Sequence, residues 1–304
     1  MKEKLTQLKA EKNAVILAHY YTVPEVQEVA DFVGDSLALS QLAAKTDKEI
    51  ILFAGVHFMA ETAKILNPSR KVIIPDLAAG CSLADSCPPE TFAEFLQQYP
   101  DHLVLSYINC SAAIKTMSDI IVTSGNAIKI VSQLPENEKI VFAPDANLGA
   151  YINATLHRQM VLWRGACHVH DQLTSEAVFD LKHTYPSAKV IAHPECQATV
   201  LALADFVGST AAMLNYVGRD EATEYIVATE TGIIYEMQNQ NPNKLFHVVA
   251  ADKTCACNDC KYMKLNTLDK IYQALLTETP ELTLDEHTIQ LAKKPLVRML
   301  KMCE

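Results

Sequence analysis

Short apolar runs rich in β-branched residues recur along this chain, and between them apolar positions return every three or four residues. The first stretch reads as the strands "AVILA" (14–18), "IILFA" (50–54) and "KVIIP" (71–75). Between them lie the helices "PEVQEVADF", "LALSQLAAK" and "HFMAETAKIL", with Pro24 in the first turn of one and "GDS" (34–36) as a turn. Buried strands that alternate with helices predict parallel sheets covered on both faces. The same order returns further on, with "IVFAPD" and "YIVATE" as middle strands. The predicted class is α/β, built as small three-layer domains with parallel sheets.

The pattern is stated three times, each time ending in polar groups. "VILAHYY" (15–21), "LVLSYIN" (103–109) and "KVIAHPE" (189–195) align, which puts His19, Tyr107 and His193 in register, and Tyr21, Asn109 and Glu195 two positions later. The lead residues stand 88 (107−19) and 86 (193−107) positions apart. That period is too long for a solenoid unit and right for a small α/β layer. Three related domains are therefore expected, over 1–85 with an N-terminal helix, 86–172, and 173–304 with C-terminal helices. A hydroxyl follows each lead residue by seventeen positions, at Ser36, Ser124 and Thr210. About sixty positions after each lead comes a cysteine: Cys81, Cys167, and the group Cys255, Cys257 and Cys260.

In open parallel sheets ligands bind beyond the carboxyl ends of the strands, where these polar sets lie. Three thiolates from three domains suit a [4Fe–4S] cluster in which one iron has no protein ligand, free to act as a Lewis acid. "CACNDC" by itself also fits half a zinc site or a redox dithiol. A second cysteine pair for zinc is missing from this region. A disulfide among these three would compete with a cluster.

Composition narrows the partners. An apolar fraction of 49% is enough to build a core, which excludes the disordered class. A net charge of −10 without a basic run argues against nucleic acid, so an anionic ligand has to be held locally. The longest apolar stretches are about half the length that a bilayer needs, and the N-terminal "MKEKLTQLKAEK" has no signal-peptide core, so a cytoplasmic protein off the membrane is expected. Nine cysteines without an export signal point to metal ligation rather than disulfides.

Taken together, "ILAHYY", "ADFVGDSL", "GVHFMAE", "LNPSRKVIIPD", "YINCSA", "APDANLG", "HPEC", "DFVGST", "ATETG" and "MKLNTL" closely resemble the quinolinate synthase family over essentially the whole length. The resemblance implies three domains about a pseudo-threefold axis and one [4Fe–4S] cluster per chain on three cysteines. It also implies condensation of iminoaspartate with dihydroxyacetone phosphate to quinolinate, with loss of phosphate and water, in the route to NAD. An L-aspartate oxidase or dehydrogenase would supply the iminoaspartate.

The carry-over places ligands at Cys81 and Cys167. For the third, the offset from the strand favours Cys255, whereas the family ligand precedes a Met-Lys-x-Asn motif, and "CKYMKLN" selects Cys260. The substrate residues implied are His19, Ser36, Tyr107, Ile108, Asn109, Ser124, His193, Pro194, Glu195, Ser209 and Thr210. Singly, the hydroxyls read as helix caps; together, at helix starts, they make an anion site without a lysine. Glu195 is the candidate general base, with Tyr107, Tyr21 and His193 as further catalytic candidates, and His19 and His193 as groups that exchange protons near neutral pH. His168 and His170 flank the Cys167 loop. Cys87, Cys110, Cys196 and Cys303 read as packing residues. "ATETGIIYEM" and the Cys260 loop are lid candidates. Two other readings remain: a hydro-lyase acting on another hydroxyacid, and a non-catalytic iron–sulfur sensor.

Overall fold

The apolar runs are strands buried on both sides, and their alternate residues feed two different cores. The computed structural model describes residues 1–251 and 258–304. Its first sheet has the order β2-β1-β3-β4, from β1 (Ala14–His19), β2 (Phe32–Gly34), β3 (Ile50–Ala54) and β4 (Lys71–Ile73). The second, β6-β5-β7-β8, uses β5 (Leu103–Tyr107), β6 (Ile120–Val122), β7 (Ile140–Ala143) and β8 (Val161–Leu162). The third, β10-β9-β11-β12, uses β9 (Lys189–Ala192), β10 (Phe206–Val207), β11 (Glu224–Ala228) and β12 (Leu245–Val248). Every pairing within these sheets is parallel. The expected α/β class with three similar domains is what the chain forms.

Period-two alternation sorts the side chains. Val15 and Leu17 of β1 join Leu105, Tyr107, Phe142, Ile191 and Val227 in one core that connects the inner faces of all three sheets. Ala14, Ile16 and Ala18 turn outward to Leu5, Leu8, Ile271 and Leu275. Val104 and Val141 turn toward Phe92 and Cys110, and Val190 and Ile226 toward Val178 and Cys196.

Each sheet has four strands where the sequence pattern gave three, and the additional one is the short edge strand β2, β6 or β10. Two or three residues are too few to show a period, and β2 falls where the pattern reads the end of a helix and a turn. That helix covers only Pro24–Gln27. A local lock ends it. Asp31 Oδ2 accepts the Ile16 N–H at 2.8 Å, and the Asp31 N–H donates back to the Ile16 carbonyl at 2.9 Å. The same two bonds join Asp119 to Val104 (2.8 and 2.8 Å) and Asp205 to Val190 (2.7 and 2.8 Å). Each aspartate stands twelve positions after its lead residue. It pins the turn against the central strand, so the next residues pair as an edge.

The two helices at the C-terminal end of the sequence return to the first and second sheets. Helix Leu268–Thr277 packs on helix Lys2–Glu11 and on β3, and helix Glu286–Cys303 lies against β6 and helices His57–Leu66, Ala112–Thr116 and Ala127–Ser132. The link between them adds an antiparallel bridge, Glu281 to Ile73, with Leu282 N–H donating to the Val72 carbonyl at 2.8 Å, which covers the β4 edge. Among the described residues no helix is long and apolar enough to cross a membrane.

Replacing Asp119 by alanine removes the acceptor of a strand N–H. It is expected to lower stability by about 1 kcal/mol, read as a lower urea midpoint at unchanged m-value. An unchanged midpoint would show that the lock contributes nothing.

Candidate functional site

Because all strands of a parallel sheet end on the same side, His19, Tyr107 and His193 leave β1, β5 and β9 toward common ground, and all three line one cavity. The residues two positions on, Tyr21, Asn109 and Glu195, line it as well. Beyond the fourth strand of each sheet a loop brings in a cysteine. Cys81 precedes helix Ser82–Asp85, Cys167 precedes helix His168–Asp171, and Cys260 precedes the short turn of helix Met263–Leu265. All three reach the cavity as free thiols.

Burial governs the state of these sulfurs. It pushes the Cys81 thiol up to about 12, against a partial pull from the N–H of Ala84. Burial likewise raises Cys167 and Cys260, opposed by the N–H groups of His170 and Met263, each three residues on. Cys81 also feels the charge of Cys260, and Cys167 that of Cys81. Buried thiols of this kind keep their protons until a cation replaces them. Three converging soft donors fit a thiophilic centre. A second donor set, Cys167, His170 and Glu195, has ligand atoms within 4.8 Å of one another. That set shares Cys167 with the three thiols, and its Glu195 Oε2 is held by His170 and His193.

Glu195 is buried at 3% exposure, and its Oε2 lies 3.1 Å from His170 Nδ1 and 3.2 Å from His193 Nδ1. Burial works to raise this carboxyl, but the two imidazoles outweigh it and hold Glu195 well below the usual range, hence ionised. Its other oxygen, Oε1, is buried without a hydrogen-bond partner, as is Oδ1 of Asn109. Buried polar atoms are nearly always satisfied, and these two orphans belong to residues that line the cavity, where they are available to a ligand.

His170 is a hub. Its Nδ1 also faces Cys167 Sγ at 3.3 Å, and its Nε2 meets Thr229 Oγ1 at 2.9 Å. Tyr21 OH bonds Thr229 Oγ1 at 3.0 Å and Thr210 Oγ1 at 2.8 Å. His193 Nε2 faces Ser124 Oγ at 3.3 Å. Burial raises both tyrosines well above their ordinary value, so they stay protonated.

His19 departs from expectation. Its Nδ1 accepts the Tyr21 N–H at 3.1 Å, and burial lowers the ring to about 3. It is therefore a fixed neutral donor through Nε2–H rather than a group that exchanges protons near neutrality. Burial lowers His193 too.

The aligned hydroxyls are not the plain helix caps that each would suggest singly. Asp35 and Ser209 are the N-caps, accepting from Ala38 and Ala212 N–H, while Ser36 and Thr210 are the first helical residues. Ser124 stands two residues before the N-cap Asn126. Ser36 and Ser124 are thus free of capping duty and line the cavity together with Thr210. The side chains of Ile108 and Pro194 do not reach its wall, and Ser209 acts as a cap that also donates to Asp35 Oδ2 at 3.4 Å. Cys87, Cys110 and Cys196 lie in the outer cores, and Cys303 accepts from Asn126 Nδ2 at 3.2 Å. Cys255 and Cys257 lie outside the described residues.

The sequence pattern missed Asp35 and Glu230, which line the cavity. Asp35 sits one place before an aligned hydroxyl and was legible there. Glu230 was not, because its partners are distant in sequence. It is fully buried, with Oε1 accepting from the Cys260 N–H (3.0 Å) and Lys264 Nζ (2.8 Å), and Oε2 from the Gly232 N–H (2.6 Å). Lys264 Nζ then donates to the Tyr21 carbonyl at 2.9 Å. A Cβ on Gly232 would stand 2.7 Å from Tyr21 Cα, so this seam needs glycine. The expected lid segment is thereby tied to both the Cys260 loop and the first domain.

Three copies of one α/β layer, each giving a polar strand end and a thiol to a single cavity, define a multidomain α/β enzyme with a thiol-lined centre. A family model described as "Quinolinate synthetase A protein" matches residues 3–301, and the chain belongs to that family. A quinolinate synthase of Synechocystis sp. is 57% identical over 298 residues, covering 98% of this chain and 94% of the relative. Those of Microcystis aeruginosa and Chloroherpeton thalassium are 56% and 55% identical, covering 98% and 99% of this chain and 93% and 94% of their own lengths.

Glu230→Ala leaves two N–H groups without their acceptor and Lys264 with the Tyr21 carbonyl and Asp259, at 3.5 Å, as its remaining partners. It is expected to destabilise the fold by about 2 kcal/mol and to speed hydrogen exchange at the Cys260 amide. Wild-type protection at that amide would show that the loop holds without the carboxylate.

Proposed function

We propose that this protein condenses iminoaspartate with dihydroxyacetone phosphate to quinolinate, releasing phosphate and water, in the biosynthesis of NAD. The observation that carries the reading is the convergence of Cys81, Cys167 and Cys260 on the cavity lined by the strand-end residues of all three domains. Under this reading the three thiolates hold a [4Fe–4S] cluster, which supplies, when bound, an iron without a protein ligand that acts as a Lewis acid toward substrate oxygen.

The residues of the chain divide the remaining work. Helices Ser36–Lys45 and Thr210–Arg219 turn their N-termini and the hydroxyls of Ser36 and Thr210 toward the phosphate. His19, neutral and oriented by the Tyr21 N–H, donates through Nε2 to a substrate oxygen. Asn109 and Ser124 orient the carboxylates. Glu195, with Oε1 free, accepts the carbon-bound protons whose removal forms the enamine and the aromatic ring and, being held a weak base by His170 and His193, relays each proton to one of these imidazoles, 3.1 and 3.2 Å from its Oε2. Tyr107, protonated by burial, donates to an oxygen that departs as water. The walls exclude bulk water, which would otherwise hydrolyse the imine. An L-aspartate oxidase or dehydrogenase is the class of enzyme that supplies iminoaspartate.

The test is quinolinate formation by anaerobically reconstituted protein given freshly generated iminoaspartate and dihydroxyacetone phosphate. Wild type is expected to form product; Cys81→Ala, Cys167→Ala and Cys260→Ala to lose bound iron, labile sulfide and turnover; and Cys303→Ala to retain all three. Glu195→Gln is expected to load normally and lower kcat by about a hundredfold or more. A fully loaded wild type that makes no quinolinate would sink the reading.

A further inference from the structure

Lys115 is fully buried, and the reading of the site gives it no role. It lies on helix Ala112–Thr116, behind the loop that carries Asn109. Its ammonium donates to the carbonyls of Ile108 (3.2 Å) and Cys110, and stands 5.6 Å from the centre of the Phe58 ring. Phe58 and Asn109 both line the cavity.

The repeat shows what this position does elsewhere. Eight places after the lead residue of the first domain stands Gln27, whose Nε2 donates to the carbonyls of Tyr20 and Thr22, each at 2.8 Å. Tyr20 and Thr22 occupy the places that Ile108 and Cys110 occupy in the second domain. In the third domain the position is Leu201, which has no donor. The strand-end loop can therefore be clamped by a neutral amide, or left without a clamp from this position. A charge is not needed for the fold.

That charge is costly to bury. An ammonium taken out of water loses its hydration and regains it only in part from two carbonyls and a ring face. Among the described residues no carboxylate lies within 4.0 Å of Lys115 Nζ. Glu61, a buried acid on the adjoining helix, directs Oε2 to the Ala112 N–H at 2.8 Å and Oε1 toward His57 Nδ1 at 3.6 Å. Of the described residues lining the cavity, none is lysine or arginine; of its three acids, Glu230 is paired with Lys264 at 2.8 Å, whereas Asp35 and Glu195 have no lysine or arginine partner among the described residues. Lys264 lies behind the Tyr21 and Glu230 side of the wall, and an anionic substrate facing Asp35 and Glu195 gains from a second cation behind the Asn109 side.

We propose that Lys115 is a positioning residue of the substrate site, whose ammonium fixes the Tyr107–Asn109 loop and offsets the negative charge of the substrate across that loop. The inference rests on the proposed anionic substrates. Its test separates clamp from charge by giving the second domain the other two domains' residues.

Lys115→Gln keeps a donor and removes the charge; Lys115→Leu removes both. Binding of quinolinate and, separately, of inorganic phosphate is measured by calorimetry on anaerobic, reconstituted protein, beside urea unfolding. Lys115→Gln is expected to unfold at the wild-type midpoint or above it, while its affinity for at least one anion drops about tenfold or more. Lys115→Leu is expected to bind as weakly or more weakly still. Affinity and stability falling in parallel would leave Lys115 a structural residue only, and affinities within twofold of wild type for both anions would overturn the charge role. Should Lys115→Gln fail to fold, the isosteric Lys115→Met is judged by the same outcomes. A wild type that binds phosphate but not quinolinate removes the quinolinate reading, and the phosphate arm still decides the role of Lys115. A wild type that binds neither anion overturns both.

Discussion

Parallel pairing is the constraint on which the rest depends. A strand that runs parallel to its neighbours delivers its last residue to the same side of the sheet as theirs, and three such sheets sharing one apolar core deliver all their strand ends to one place. The apolar side chains of β1, β5 and β9 do this without reference to chemistry. Polar residues one step past the last buried position then have nowhere to go but the common cavity, and burial there sets their protonation. It keeps His19 neutral and the thiols protonated, whereas Glu195 escapes the same pressure only because His170 and His193 stand against it.

Much of this was legible in the sequence because the chain repeats itself. A single histidine at a strand end says little, but His19, Tyr107 and His193 at equivalent places identify a shared wall, and the α/β class follows from apolar runs of ordinary strand length. What stayed hidden has two physical origins. The edge strands β2, β6 and β10 are too short to carry a period, and their existence depends on hydrogen bonds from Asp31, Asp119 and Asp205, whose matching offset was present but bore no hydrophobic signal. The couplings of Glu230 with Lys264 and of His170 with Glu195 join residues whose proximity is created by folding, and nothing in their local sequence announces a partner. The return of helix Glu286–Cys303 to the second sheet is of the same kind.

The three domains are alike in plan and unlike in detail, and the unlikeness is concentrated at the cavity. Equivalent positions hold histidine, tyrosine and histidine, then tyrosine, asparagine and glutamate. One framework thus presents a neutral donor, a protonated phenol and a carboxylate from three directions, which a single domain of this size has no surface to arrange. The acid and the donors do not share a loop, so each is tuned by its own surroundings.

The seam at Gly232 has a consequence for how the chain comes into being. Tyr21 reaches its final contacts through Thr210, Thr229 and Lys264, partners separated from it by about two hundred residues of chain. During synthesis the first two domains can complete their sheets while the third is still being made, yet the cavity they border stays an open cleft until the segment bearing Cys260 arrives. Until then the cleft holds Cys81 and Cys167 without the third thiol. The order of the domains along the chain therefore leaves completion of the three-thiol set to the last segment to be made.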